Sequence, residues 1–259
     1  MPEGDTIARA AVTLRARVAG HRVIAARPAA LARLAGRTLE SVSATGKHLY
    51  MHFGDGLVLH THMRMTGSWH VYAPGQPWRR APHRATAVLD FDGVSVVLFA
   101  APVCELVPEA RVGAGLGPDI LAGELDIAGV PARARGSSRP TLAELLLDQS
   151  VSAGIGNIYR CEALWHERVD PCAPPRQLDD ATVERVFRRV RDLMRRSVTG
   201  DGFAAPAAVH GRAGRPCPRC GVAVVKRPLG MPSRILYWCP RCQPPIPGAP
   251  LRPPAAPSG

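Results

Sequence analysis

Lysine is almost absent: of the 33 basic residues in this 259-residue chain, 31 are arginine, and only Lys47 and Lys226 are not. In a chain so biased towards arginine, a retained lysine hints that a compact, point-like ammonium is wanted, and Lys47 is read that way. Acidic residues also run out: none follows Asp201, whereas eight basic ones do. The net charge of +12 is therefore lopsided, +2 over residues 1–130 and +10 over residues 131–259. This excess favours a polyanionic partner, nucleic acid before an anionic membrane; the plain reading is a solvated basic surface, but one-sided charge over such a length argues for a phosphate-facing surface instead. No basic-then-apolar leader opens the chain, and the longest greasy stretch, around Val96–Val103, is too short to span a bilayer. The expected location is cytoplasmic and no membrane partner is expected. In a reducing compartment the cysteines read as metal ligands rather than disulfides.

Apolar content of 46% suffices for a real core, and the length suggests two domains plus a small module. A stripe of Ile7, Ala11, Leu14 and Val18 predicts a helix over Asp5–Val18, capped by Asp5 and ended by Gly20. Short β-rich runs follow, at Arg22–Ala26, Thr38–Ser43, His48–Phe53, Leu57–His62, Ala85–Phe91 and Ser95–Phe99, and imply an antiparallel sandwich or barrel. Helices take over after Pro140, with a Thr141–Glu144 capping box and helices at Asn157–Glu167 and Asp179–Val198. The last 16 residues, Pro244–Gly259, hold seven prolines and read as a disordered tail.

Three constellations carry chemistry. Cys217-Pro-Arg-Cys220 and Cys239-Pro-Arg-Cys242 flank 18 residues, the pattern of a zinc ribbon. Four thiolates would close a structural site with no open position, on a hairpin of Val222–Val225 and Ile235–Trp238. Such a hairpin is too small to fold alone, and the metal would supply about 10 kcal/mol or more. Secondly, Met1 before Pro2 is normally trimmed, which would expose a secondary amine beside Glu3. Thirdly, Gly154 and Gly156 precede Asn157 at a helix start, where backbone N–H groups can receive a phosphate, or where Asn157 simply caps a turn.

Leu147-Asp148-Gln149, Ala153-Gly154-Ile155-Gly156-Asn157-Ile158-Tyr159 and Glu162-Ala163-Leu164 resemble the helix–two-turn–helix motif of the Fpg/Nei family of DNA glycosylases. Pro2-Glu3, Gly46-Lys47, Gly211-Arg212-Ala213-Gly214 and Arg234, five residues before the third cysteine, match the same family in order over residues 2–242. Pro2-Glu3-Gly4-Asp5-Thr6 and Gly67-Ser68-Trp69 are most similar to its Nei (endonuclease VIII) branch of actinobacterial type. The resemblance implies an α+β multidomain chain. Residues 1–125 would form a catalytic domain of N-terminal helix plus β-sandwich, and residues 126–210 a helix–two-turn–helix domain. A zinc-ribbon hairpin would follow at 211–243, then the tail at 244–259.

It further implies a monomeric, nucleoid-associated enzyme of base excision repair. Its partner would be double-stranded DNA carrying oxidised bases or abasic sites, and its cofactor one structural zinc. Pro2 would be the nucleophile and Glu3 the proton shuttle, the alternative for Glu3 being charge compensation at a helix start. Lys47, counted with Pro2 and Glu3 among the catalytic residues, would hold phosphates together with Asn157 and Arg234. Met65 would fill the gap left by an extruded base with help from Arg64 and Thr66, unless Met65 is a buried strand end. Two departures stand out: Thr6 replaces a carboxylate common in the family, and His210 an aromatic residue. His60, His62 and His70 read as polar groove lining rather than metal ligands. Competing readings are an enzyme acting mainly as an AP lyase or on oxidised purines, and a non-catalytic zinc-ribbon DNA-binding protein.

Overall fold

The computed structural model describes residues 2–123, 126–200 and 207–246. The proposed tail beyond Ile246 lies outside the described residues. The chain divides into two compact units, Met1–Gly115 and Leu116–Gly259.

The first unit opens with α1 (Gly4–Val18), whose buried stripe is Ile7, Ala11, Leu14 and Val18. Burying such a side chain is worth about 1.5–3 kcal/mol for each of the larger residues, which is what holds an arginine-rich helix in place. Asp5 does not cap this helix. The N-cap is Glu3, in extended backbone, and its carbonyl accepts from Thr6 N (3.0 Å) and Ile7 N (3.2 Å). Asp5 therefore falls inside the first turn, buried and 3.4 Å from Arg9.

Eight strands follow: β1 (Ala25–Arg27), β2 (Leu39–Thr45), β3 (His48–Phe53), β4 (Leu57–His62), β5 (Ser68–Tyr72), β6 (Ala85–Phe91), β7 (Val94–Phe99) and β8 (Val103–Pro108). They form two antiparallel four-stranded sheets, ordered β1-β6-β7-β5 and β2-β3-β4-β8. Leu49, Met51, Phe53 and Leu59 of one sheet share a core with Leu89, Val96 and Leu98 of the other and with α1. Because side chains alternate along a strand, this burial forces His48, Tyr50 and His52 onto the opposite face of β3. The sandwich expected from the sequence is present. Two of its strands, β5 and β8, were not among the expected runs, and the first run, Arg22–Ala26, is reduced to an isolated bridge at Arg22 and the three residues of β1.

The second unit is helical, with α2 (Val130–Gly136), α3 (Leu142–Leu145), α4 (Asn157–His166) and α5 (Asp180–Thr199), followed by the hairpin β9 (Val225–Leu229) and β10 (Arg234–Trp238). The capping box at α3 is present: Glu144 N donates to Thr141 Oγ1 (3.2 Å), and the Thr141 hydroxyl donates to the Glu144 carboxylate (2.6 Å). α5 is capped by Asp179, which accepts from Thr182 N at 2.6 Å, and ends on Gly200 in the left-handed region (φ 87°). The hairpin's first strand lies three residues later than the Val222–Val225 expectation, and Val225 pairs with Trp238. Val224, Leu236 and Trp238 share one core with Leu164, Phe187 and Val190. The cysteine-bearing segment is therefore built onto the helices.

Several of the α5 arginines are engaged within the molecule. Arg185 and Arg189 hold Glu167 at 3.1 and 2.7 Å, Arg188 holds Glu184 at 3.2 Å, and Arg191 donates to the carbonyls of Ala122 and Gly123.

Candidate functional site

In the first unit, Pro2 is half-buried and Glu3 is 1% exposed at the start of α1. The Glu3 side chain makes no capping hydrogen bond. Thr6 is half-buried, and its hydroxyl lies 3.4 Å from Asp5 Oδ1.

Lys47 is set by a hairpin. Thr45 pairs with His48, which leaves Gly46-Lys47 as a two-residue loop. Gly46 has φ 61° while Lys47 does not enter the left-handed region, the pattern of a type II′ turn with glycine first. The lysine is thereby fixed at the tip of β2–β3.

Behind it lies a group of histidines that the sequence only hinted at. Register places His48 opposite His62, Tyr50 opposite His60, and His60 opposite Glu105. A chain of hydrogen bonds runs across the sheet: Glu105 Oε1 to His60 Nδ1 (3.0 Å), then His60 Nε2 to His48 Nδ1 (2.8 Å). An ionised carboxylate can only accept, so His60 donates to it from Nδ1. His62 Nδ1 accepts from Arg64 N at 3.0 Å. Burial pulls His48 down to about 4, helped by His62, His60, Lys47 and Arg64. Burial likewise brings His62 to about 4, with Arg64, Lys47 and His60 adding to it. Both rings are thus neutral near pH 7.

Beyond β4 the chain turns sharply. Gly67 N donates to Met63 O (2.8 Å), and a Cβ on Gly67 would sit 2.7 Å from the Met63 backbone, so only glycine fits. Arg64 occupies the left-handed region (φ 45°), and Thr66 Oγ1 donates to Ala100 O (2.8 Å). This loop buries Met63 and leaves Met65 59% exposed, so Met65 is not a buried strand end. Arg64 is exposed beside it.

In the second unit, the two-turn segment before α4 is stapled by Gln149. Its Nε2 donates to Leu147 O (2.9 Å) and Ile155 O (3.2 Å), and its Oε1 accepts from Gly154 N (3.0 Å). The N-cap of α4 is Gly156, which offers no side-chain cap, so Asn157 is the first helical residue rather than the cap. Asn157 is buried, and its Nδ2 donates to Ile235 O at 2.9 Å. The fully buried Arg160 donates to Asn157 Oδ1 and to the same Ile235 carbonyl (3.3 Å). Asn157 and Arg160 thus fasten β10 immediately beside Arg234, which opens that strand and is exposed. Glu162 does similar work further along α4, accepting from the backbone N–H groups of Ala208 (2.8 Å), Val209 (3.0 Å) and His210 (2.8 Å).

Cys217, Cys220, Cys239 and Cys242 converge, with all four Sγ atoms within 4.8 Å of one another. Cys220–Cys239 is 3.4 Å and Cys217–Cys242 3.9 Å, far longer than a disulfide. Four sulfurs around a tetrahedral ion with metal–sulfur bonds of 2.3 Å stand about 3.8 Å apart, so the cluster fits such an ion. Among the described residues it is the one His/Cys/Asp/Glu group that could hold a metal, and the histidines of β3 and β4 do not form another.

A helix-backed β-sandwich beginning with Pro-Glu, joined in one chain to a helical unit that carries a four-thiol hairpin, has known counterparts. The formamidopyrimidine-DNA glycosylase N-terminal domain family matches residues 1–102, and the formamidopyrimidine-DNA glycosylase H2TH domain family matches residues 116–206. The chain is 37% identical to "Probable endonuclease 8 2" of Streptomyces coelicolor, over 94% of each chain. It is 33% identical to "DNA-(apurinic or apyrimidinic site) lyase Nei2" of Mycolicibacterium smegmatis, over 94% of this chain and 99% of the relative. Its fold superimposes on the Lactococcus lactis formamidopyrimidine-DNA glycosylase solved with DNA containing an AP site, with a TM-score of 0.82 and 22% identity over 94% and 100% of the two chains. The chain belongs to the Fpg/Nei family of DNA glycosylases.

Proposed function

We propose that this protein is a bifunctional DNA glycosylase/AP lyase of base excision repair that removes oxidised pyrimidines and nicks abasic sites. The observation that carries the reading is the Pro2-Glu3 start, with Glu3 buried beside Pro2 at the head of α1. Once Met1 is removed, the Pro2 amine has an ordinary pKa near ~8 and is partly neutral at cellular pH. Its lone pair forms a bond to C1′ of the damaged nucleoside as the glycosidic bond breaks and the base leaves with the electron pair. The adduct nitrogen gives up its N–H proton, and sugar-ring opening, with Glu3 delivering a proton to the ring oxygen, then gives an iminium between Pro2 and C1′. Loss of a C2′ proton then expels the 3′ phosphate, loss of a C4′ proton expels the 5′ phosphate, and hydrolysis frees the amine. Thr6, where the family commonly has a carboxylate, makes the second elimination the slower step.

Lys47, Asn157 and Arg234 are assigned to DNA phosphates, which position the strand without reading its sequence. An amide has two N–H donors, and one of those of Asn157 is committed to Ile235. Met65, displayed with Arg64 on the Gly67 turn, is assigned to the gap left by the extruded base. The four cysteines hold one structural zinc, which stabilises the hairpin carrying Arg234. The partner is duplex DNA containing oxidised bases or abasic sites, engaged by a monomer.

Borohydride reduction on abasic DNA tests the reading. The mature protein should cross-link, whereas a form retaining Met1 should bind DNA and give no cross-link or incision. Normal incision by the Met1-retaining form would refute Pro2 as nucleophile. The pyrimidine preference rests on the Nei-like Gly67-Ser68-Trp69 signature and on relatives named as endonuclease 8. Faster excision of 8-oxoguanine opposite cytosine than of thymine glycol would refute it.

A further inference from the structure

The cysteine cluster has a neighbour that the thiol spacing does not announce. Trp165, in the last turn of α4, is 8% exposed, and its Nε1 lies 3.3 Å from Cys217 Sγ, which is itself buried. An indole N–H can only donate, so sulfur is the acceptor. Two neighbours hold the ring. The Arg219 guanidinium carbon lies 4.0 Å from its centroid, and His166 meets it edge-on at 4.9 Å. Arg219 is fixed in turn, because it donates to Trp165 O (2.9 Å) and His166 O (3.4 Å), the final carbonyls of α4.

Four thiolates around a dication carry net negative charge in a largely buried place, and each sulfur that receives no donor raises that cost. Cys217 lies within a protein wall, whereas Cys220 and Cys242 border a cavity of about 490 Å³ lined also by Arg168, Arg219 and Arg241. The buried Cys217 sulfur receives the indole N–H beside the backbone N–H groups of Arg219 and Cys220, and the indole is the side-chain donor among them.

Resting on the reading that the cysteines hold zinc, we propose that Trp165 is an outer-sphere hydrogen-bond donor to the Cys217 thiolate, clamped by Arg219, and that it slows loss of the metal. It is a positioning residue: it touches neither DNA nor the reacting atoms. Its rigid seat on α4 also ties the ribbon to the helix whose first residue is Asn157.

The test uses the full-length metal-loaded protein and its Trp165→Phe variant, which keeps an aromatic ring and loses only the donor and part of the volume. Zinc transfer to a chromogenic chelator should be about tenfold faster from the variant, as for other outer-sphere partners. In the cobalt-substituted proteins the sulfur-to-cobalt charge-transfer band should move to lower energy, because the sulfur lone pairs lose a stabilising proton. Faster release with an unmoved band would mean that Trp165 only fills space and would overturn the proposal, as would equal release rates. Wild-type protein that binds no metal would overturn the zinc reading itself, which is a separate result. Should Trp165→Phe fail to fold, the wild type loaded with NMR-active cadmium still decides: a scalar coupling between the metal and the Trp165 indole proton is expected, and its absence overturns the proposal.

Discussion

The two units position their candidate residues by opposite means. In the first, Lys47, the histidines and Met65 are set by strand register and tight turns, so each depends on residues a few positions away or directly across a ladder. In the second, position comes from links between segments far apart in the chain: Asn157 to Ile235, Glu162 to Ala208–His210, Arg219 to Trp165, and the two cysteine pairs. A two-stranded hairpin is marginal by itself, so β9–β10 relies on those links where the eight-stranded sandwich relies on its own core. The first unit should therefore tolerate local damage that would release the whole ribbon in the second.

The largest effect expected on that contrast comes from Cys220→Ser. Loss of one thiolate should empty the site and remove much of the roughly 10 kcal/mol that a structural zinc contributes. Hydrogen exchange should rise over β9 and β10 while β3, β4 and β6 stay protected, and DNA affinity should fall steeply. Metal analysis finding no zinc in the wild type would end this line of reasoning. Glu162→Gln comes next. The buried carboxylate accepts three backbone N–H groups, and removing its charge should cost on the order of 1–3 kcal/mol, read as a lower melting temperature with exchange rising at 208–210. An unchanged melting temperature would show that the link is dispensable.

Acid should act most strongly on the first unit, although burial lowers His166 and His210 of the second as well. His48 and His62 are held at about 4 in the folded protein against an ordinary value of 6.5. Below 6.5 the unfolded chain binds protons that the folded one refuses, so the stability from these neutral rings is present above that pH and is lost as pH falls towards 4. Melting temperature should therefore drop between pH 6.5 and 4, and His48→Gln should flatten that slope. A slope identical in the variant would clear His48 of any part in it. The smallest effect on stability is expected from Met65→Ala, since the side chain is 59% exposed. Its melting temperature should be unchanged, while single-turnover excision of thymine glycol should slow more than cleavage of an abasic site, which has no base to extrude. Equal losses on both substrates would argue against a gap-filling role.

Much of this was legible in the sequence where a period or a spacing carried it. β3, β4 and β6 fall where alternation put them, and the cysteine knuckles meet as their spacing required. β8 escaped because it is a half-exposed edge strand with no clean alternation, and β9 was placed three residues early because Lys226-Arg227-Pro228 reads as a loop although Pro228 pairs with Ile235 at an edge. The histidine chain was half visible: His60 and His62 could be seen to share a face, but pairing with His48 and Glu105 needed the register. Arg160, Glu162 and Trp165 were not legible as polar links at all. Their distant partners lie 46 to 75 residues away, and no periodicity connects a side chain to a distant carbonyl, amide or sulfur.

Gly67 gives the Met65 loop a property that matters to anything probing a stacked polymer. Because the chain doubles back over Met63 without a Cβ in the way, and Thr66 is tied to Ala100, the loop is already in shape before a ligand arrives. The entropy of ordering it was met when the chain folded and is not charged again at each encounter. A blunt, preset tip can sample many positions along a duplex quickly. A floppy one would have to be ordered anew at every base pair.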